Sequence, residues 1–234
     1  MGVSAGSDLI QDGLVYSVDA TDKNSYPGSG TVWNDLVHKN NGTLTNGPTF
    51  VSAGDSTDYI NLDGSNDYIE VGNAAEIKTA INETFSICFW VRPIYAGTYR
   101  CVFGFMNGDN TAGGGIETAS STRRYKFWVA DDNNWAGPQC TSNATDNVWC
   151  QIIGTSDGST LRIYFNGVQE DTESRAGCGD ITAAGNIRLG CHAGLLESGR
   201  FLKGGIGNVQ VYNRTLSALE VTENFEIQRI RYGV

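Results

Sequence analysis

The chain is expected to fold as an all-β sandwich of two antiparallel sheets, on three observations. Short runs with a period of two recur along the 234 residues, separated by turn residues, as half-buried strands require. Thirty Gly against four Pro suit many tight turns between short strands. Hydrophobic residues reach 40% while charged ones stay at 18%, which supplies a packed core and argues against disorder. Sandwiches of this size are commonly undivided, so residues 1–234 are taken as a single domain.

The elements follow in order. Leu14, Val15, Tyr16 and Val18 predict an opening strand after the Asp12-Gly13 step. Residues 24–30 (NSYPGSG) are turn chemistry, and Leu44 sits in a short strand between two further turns. Residues 59–71 alternate on both sides of a polar turn, which predicts a hairpin. Residues 85–93 (FSICFWVRP) predict a strand stopped by Pro93. Residues 99–105 are its expected partner, with Cys101, Phe103 and Phe105 on one face. Further strands are expected at 124–129, 147–155, 161–168 and 186–191, the third of them ending on an Asn166-Gly167 turn of the I′ type. Ile206, Val209 and Val211 mark the last strand, and the pattern breaks at Tyr212-Asn213-Arg214. Ser217 then caps a short helix, Glu220 completes the capping box, and Leu216 and Val221 form a hydrophobic staple. Val221 and Phe225 share one helix face. The first and last strands are expected to pair, bringing the termini together. Ile230 and Tyr232 have no evident core role, so residues 228–234 are expected to reach a partner, and deleting 229–234 to weaken assembly more than folding.

Several of these stretches also carry a resemblance. Gly205, Ile206, Val209, Val211-Tyr212-Asn213-Arg214, Leu216-Ser217 and Glu220-Val221 resemble the closing signature of laminin-G-like (LamG) domains of the concanavalin A-like lectin/glucanase superfamily. The LDGSNDYI stretch from Leu62 to Ile69, the strand at 85–91 and the one entered at Trp149 resemble the same family's motifs in the same order. The resemblance implies a concanavalin A-like jelly-roll. The early segment, with its SYPGSG and TNGPTF turns, is similar to copies of the domain found in tailed-bacteriophage virion proteins.

Charge and composition exclude other classes. Sixteen basic against 26 acidic residues give a net charge of −10, which repels phosphate backbones and anionic lipid, so nucleic acid is not expected as a partner. No apolar run approaches the roughly 18 residues of a membrane helix, so no membrane insertion is expected. The first 13 residues lack the basic and apolar regions of a signal peptide, which suits synthesis in a cytoplasm or a signal already removed. Six Cys without a C-x-x-C pair, and two His without ligand spacing, argue against a metal cluster. The Cys are read either as hairpin bridges in the order 88–101, 140–150 and 178–191 or as free, buried small hydrophobes.

The sequence bears on three kinds of site. Glycan-hydrolysing relatives carry E-x-D-x-x-E on a strand, a carboxylate pair on one face. It is absent here, and Glu170-Asp171-Thr172-Glu173 has the wrong spacing and reads as a solvated loop, so no catalytic residue is assigned. Asp63, with Asn66 and Asp67, supplies oxygens on a tight turn and is the candidate calcium site; the alternative is an Asx turn whose side chains hold the turn amides. Trp135, with Asp131, Asn133 and Asn134, has the composition of a sugar site, an aromatic face flanked by hydrogen-bonding groups. Trp128 lies inside a strand pattern and reads as core. Two functions follow as expectations. One is a non-catalytic virion surface protein of the capsid-decoration or fibre type, made in a host cytoplasm, partnered by virion proteins or sister subunits and adhering to cell-surface glycans. The other is a calcium-dependent glycan-binding module of an extracellular or cell-surface protein.

Overall fold

The computed structural model describes residues 9–54, 57–95, 97–106, 111–119, 122–131, 134–175, 185–194 and 199–234. One sheet runs in space as β14 (Val168–Ser174), β13 (Thr160–Phe165), β12 (Cys150–Asp157), β7 (Thr84–Pro93), β16 (Lys203–Tyr212), β5 (Tyr59–Asp63) and β4 (Thr49–Val51). β1 (Leu14–Asp19) also pairs with β16, as expected, with Val18 opposite Val209. The second sheet runs as β11 (Asn134–Ala136), β10 (Tyr125–Asp131), β9 (Gly113–Thr118), β8 (Arg100–Met106), β15 (Ile187–Leu189), β6 (Tyr68–Gly72), β3 (Gly42–Thr45) and β2 (Val32–Trp33). Every strand pair is antiparallel among the described residues.

The sandwich follows from the period of two. On β7, Phe85, Ile87, Phe89 and Val91 enter one core with Phe103 and Phe105 of β8 and Tyr125, Phe127 and Val129 of β10. Ser86, Cys88 and Trp90 alternate with them on the outer face, and they too are buried, because a helix lies over that face. This helix, α2 (Ala218–Tyr232), has the expected capping box: Ser217 accepts from the Glu220 amide, and the Glu220 carboxylate accepts from the Ser217 amide. Leu216 and Val221 meet in the cluster beneath it. The Asn166-Gly167 turn is present with positive φ at both residues, 48° and 79°, as a type I′ hairpin needs.

Several expectations are corrected. Residues 59–71 are not a hairpin: β5 pairs with β4 and β16, whereas β6 pairs with β3 and β15, so the turn at 63–67 carries the chain between sheets. The same holds for β7 and β8, which face each other across the core instead of sharing hydrogen bonds. Both errors have one cause. Alternation predicts strands, but it does not say whether neighbours in sequence share a sheet. A bulge between Cys101 and Phe103 also places Val102 with Phe103 in the core and breaks the expected face. A further short helix, α1 (Ala75–Ala80), was not foreseen. The acidic stretch at 170–173 belongs to β14; Glu170 accepts from Ser142, and Asp171 accepts from the Gln139 amide at 2.9 Å.

The C-terminal tail is core. α2 extends to Tyr232, whose ring is buried and stacks on Trp90 at 4.1 Å, while Phe225 stacks at 5.7 Å. Gly207 permits this, since a Cβ there would come within 2.5 Å of the Tyr232 hydroxyl. Arg231 clamps the tail with two hydrogen bonds of 2.6 Å to Asp19. Ile230, unlike Tyr232, is 82% exposed.

Cys88, Cys101, Cys140, Cys150 and Cys191 are free and buried, while Cys178 lies outside the described residues. An 88–101 bridge is excluded because Cys88 packs under α2 and Cys101 sits in the other sheet.

Candidate functional site

The second sheet turns Lys126, Trp128 and Ala130 of β10 away from the core that Tyr125, Phe127 and Val129 enter. Opposite Trp128 stands Gly115, and opposite Ala130 stands Gly113. These glycines let the indole lie close to the sheet: a Cβ on Gly115 would meet the Trp128 ring at 3.0 Å and the Phe103 carbonyl at 2.6 Å. The segment after β15 crosses the same face, where a Cβ on Gly104 would meet the Ala193 amide at 2.8 Å. Met106, Trp128, Ala130 and Ala193 form a small cluster of their own there.

Trp135 is added by the β10–β11 hairpin. It pairs with Ala130, so it shares the Trp128 face, and its ring lies 4.9 Å from Trp128. His192 stacks on the other indole contact, 5.4 Å from Trp128 with planes 11° apart, and 6.3 Å from Trp135. Trp128 and His192 are buried, whereas Trp135 is 42% exposed. Trp128 is thus inaccessible, as its strand position implied, but it packs outside the inter-sheet core.

Charged groups border the rings. Glu117 of β9 stands opposite Lys126, and its carboxylate accepts from Arg200 Nη1 at 3.1 and 3.3 Å. Arg200 also lies over the Tyr99 ring, 4.6 Å from its centroid. Tyr99, Glu117, Lys126, Trp128, Trp135 and Arg200 line one open cleft of about 210 Å³. Burial holds the Glu117 carboxyl above its usual range, opposed by Arg200 and Lys126. Burial also lowers His192 to about 4, with Arg200 and Arg188 adding to the effect, so its ring is neutral at pH 7. Its Nδ1 accepts from the Gly194 amide at 3.2 Å, which leaves the proton on Nε2. That N–H, and the Nε1–H of Trp128, are buried without an acceptor among the described residues.

Of the residues expected at the sugar site, Trp135 is in the cleft. Asp131 and Asn134 close the hairpin as paired strand residues, and Asn133 lies outside the described residues. Sequence reading missed Glu117, Arg200 and Tyr99, which come from other strands and loops. Lys126 was legible, since it stands two residues from Trp128 and so shares its face.

At the candidate calcium turn, Asp63 Oδ1 accepts from the Ser65 amide at 2.7 Å and the Asn66 amide at 3.3 Å, and Asp67 Oδ2 accepts from the Asp63 amide at 3.0 Å. The Asn66 carbonyl accepts from Asn46 at 2.9 Å. The Ser65 amide bond leads in holding Asp63 below the usual carboxylate range, and burial raises Asp67. The residues fit the Asx-turn alternative. Among the described residues no group of three or more His, Cys, Asp or Glu is arranged to hold a metal.

A two-sheet antiparallel sandwich with an aromatic, charge-bordered cleft on one outer face is a lectin-like architecture. The chain belongs to the concanavalin A-like lectin/glucanases superfamily, whose Laminin_G_3 family matches residues 63–222. Among solved structures it is similar to domain 4 of AbnA, an extracellular GH43 arabinanase from Geobacillus stearothermophilus, in complex with arabinotriose. That match has 17% identity, covers 90% of this chain and 97% of the domain, and has a TM-score of 0.70. The carbohydrate-binding module CBM40 of the Ruminococcus gnavus IT-sialidase, bound to α2,3-sialyllactose, matches at 14% identity over 70% of this chain and 94% of the module, TM-score 0.58. The Trypanosoma rangeli sialidase in complex with sialic acid matches at 14% identity, TM-score 0.67; 99% of this chain is covered but it spans only 35% of the sialidase. No curated protein sequence matches the chain.

Proposed function

We propose that the chain is a non-catalytic glycan-binding module that seats a sugar on Trp135, with Tyr99, Lys126 and Arg200 taking up its oxygens. The observation that carries this reading is the placement of Trp135, an exposed indole braced from below by the buried Trp128–His192 stack and bordered by fixed charges. Sugars present a C–H face to such rings and hydroxyls to the polar rim. About 210 Å³ is below the roughly 300–1,000 Å³ of drug-sized pockets, which suits one sugar ring with the rest of the glycan outside. Glu117 is the one carboxylate among the described residues of the cleft lining and is tied to Arg200, whereas glycoside hydrolysis generally uses two carboxyl groups.

The neighbours named above support the same reading, since the arabinanase domain and the sialidase module were each solved with an oligosaccharide. None of them is a virion protein, and no observation favours the virion role expected from the early segment. Screening the chain and its Trp135→Ala variant on a glycan array tests the proposal. Specific spots lost in the variant are expected; an array without them contradicts it.

A further inference from the structure

Resting on the glycan-binding reading, we infer that the sugar selected by this cleft carries a carboxylate. The chain as a whole is acidic, with 26 acidic against 16 basic residues. Its cleft reverses that balance, because among the described lining residues Lys126 and Arg200 face a single carboxylate, Glu117. The basic side chains there are not fully used. Arg200 spends Nη1 on Glu117, while its Nε and Nη2 have no acceptor among the described residues. Lys126 Nζ has no hydrogen bond or ion pair there either, although it stands opposite Glu117 across the strand pair.

Glu117 and Tyr99 hold the guanidinium in place, one on its edge and the other on its face. Little side-chain entropy then remains to be lost when a ligand arrives. The free edge of a guanidinium matches a planar carboxylate with two parallel hydrogen bonds, and a neutral hydroxyl uses only one of them. The Trp128 and His192 N–H groups are buried beneath Trp135 and stay out of a ligand's reach, so among the described residues the charged donors of the cleft are those of Lys126 and Arg200, set against the one carboxylate of Glu117. An uncharged sugar supplies donors and acceptors together. A sugar acid supplies surplus acceptors and a second negative charge to set against Lys126 and Arg200.

The carboxylate could belong to a uronic acid or to a sialic acid, and titration calorimetry on the full chain separates them. One pair of ligands is trigalacturonate with galactotriose; the other is 3′-sialyllactose with lactose. In at least one pair the acidic member should bind roughly tenfold tighter than its neutral partner. The pair that shows the gap names the source. Raising the salt should narrow the gap, and so should Lys126→Gln, a partly exposed change that leaves the Arg200–Glu117 pair intact. Arg200→Gln should close it further, with circular dichroism confirming the fold. Equal affinities within both pairs would overturn the inference and leave the glycan-binding reading standing. Binding of neutral glycans on the array with no response to any of these four ligands would do the same. An array without specific spots, together with four flat titrations, removes both.

Discussion

The Tyr232 ring lies flat on the Trp90 ring, with centroids 4.1 Å apart and planes 5° from parallel. The last turn of the chain is therefore bound to the middle of its central strand. Phe225 stacks on the same indole, and Trp149 meets Tyr232 edge-on at 4.9 Å. Removing Tyr232 opens a cavity among aromatic rings that cannot easily collapse. Tyr232→Ala should cost about 3–5 kcal/mol, read as a lower denaturant midpoint with an unchanged slope. Deletion of residues 229–234 should cost at least as much, because it also removes Arg231 from Asp19. A truncated chain with wild-type stability would show that the helix end is only a surface extension.

Acid should destabilise the fold through His192. Its folded-state value is about 4 against an unfolded value of 6.5, so between those limits the unfolded chain binds more protons. Stability is full above pH 6.5 and falls as the pH drops towards 4, by on the order of 2–3 kcal/mol. Glu220, lowered to about 2 chiefly by its Arg214 hydrogen bond, adds a second loss between 4.5 and 2. Comparing wild type with His192→Gln isolates the first effect. The difference between their stability curves should slope from pH 6.5 to 4 and be flat above 7; parallel curves would contradict the assignment.

The five described thiols should be silent in the native state. Burial pushes each of them up, and each is almost without solvent contact. Without reductant, a thiol reagent should find them only after denaturant is added. A native chain whose Cys88, Cys101, Cys140, Cys150 or Cys191 reacts promptly, or fails to react when unfolded, would show exposure or a bridge.

The turn at Asp63 should be built from amides. Asp63→Ala should lower stability by about 1 kcal/mol, the order of two local hydrogen bonds to a carboxylate partly exposed to water. Millimolar calcium should leave the melting temperature of the wild type unchanged. A calcium-dependent rise abolished by Asp63→Ala would restore the metal reading.

Much of the architecture was legible because its signals are local. The capping box at Ser217 and Glu220, the Asn166-Gly167 turn and the alternation in residues 85–91 each act within a few residues. Sheet membership was not legible. Whether 59–63 and 68–72 pair or part depends on which distant strand offers the better partner, and here β16 and β15 win. The cleft divides the same way. Trp135 could be singled out as an aromatic among turn polars, but Glu117 and Arg200 are 83 residues apart and meet only through the fold. Tyr232 was misjudged because its partner, Trp90, lies far back in the chain.

The glycan site is tested most directly by titrating wild-type chain and Trp135→Ala with a glycan identified on the array, while both are followed by thermal melting. Trp135 is partly exposed and sits on an edge hairpin, so its loss should leave the melting temperature within a few degrees. Saturable binding to the wild type is expected, with an affinity at least tenfold weaker in the variant. Unaltered affinity in a folded Trp135→Ala chain would place the sugar elsewhere and contradict it.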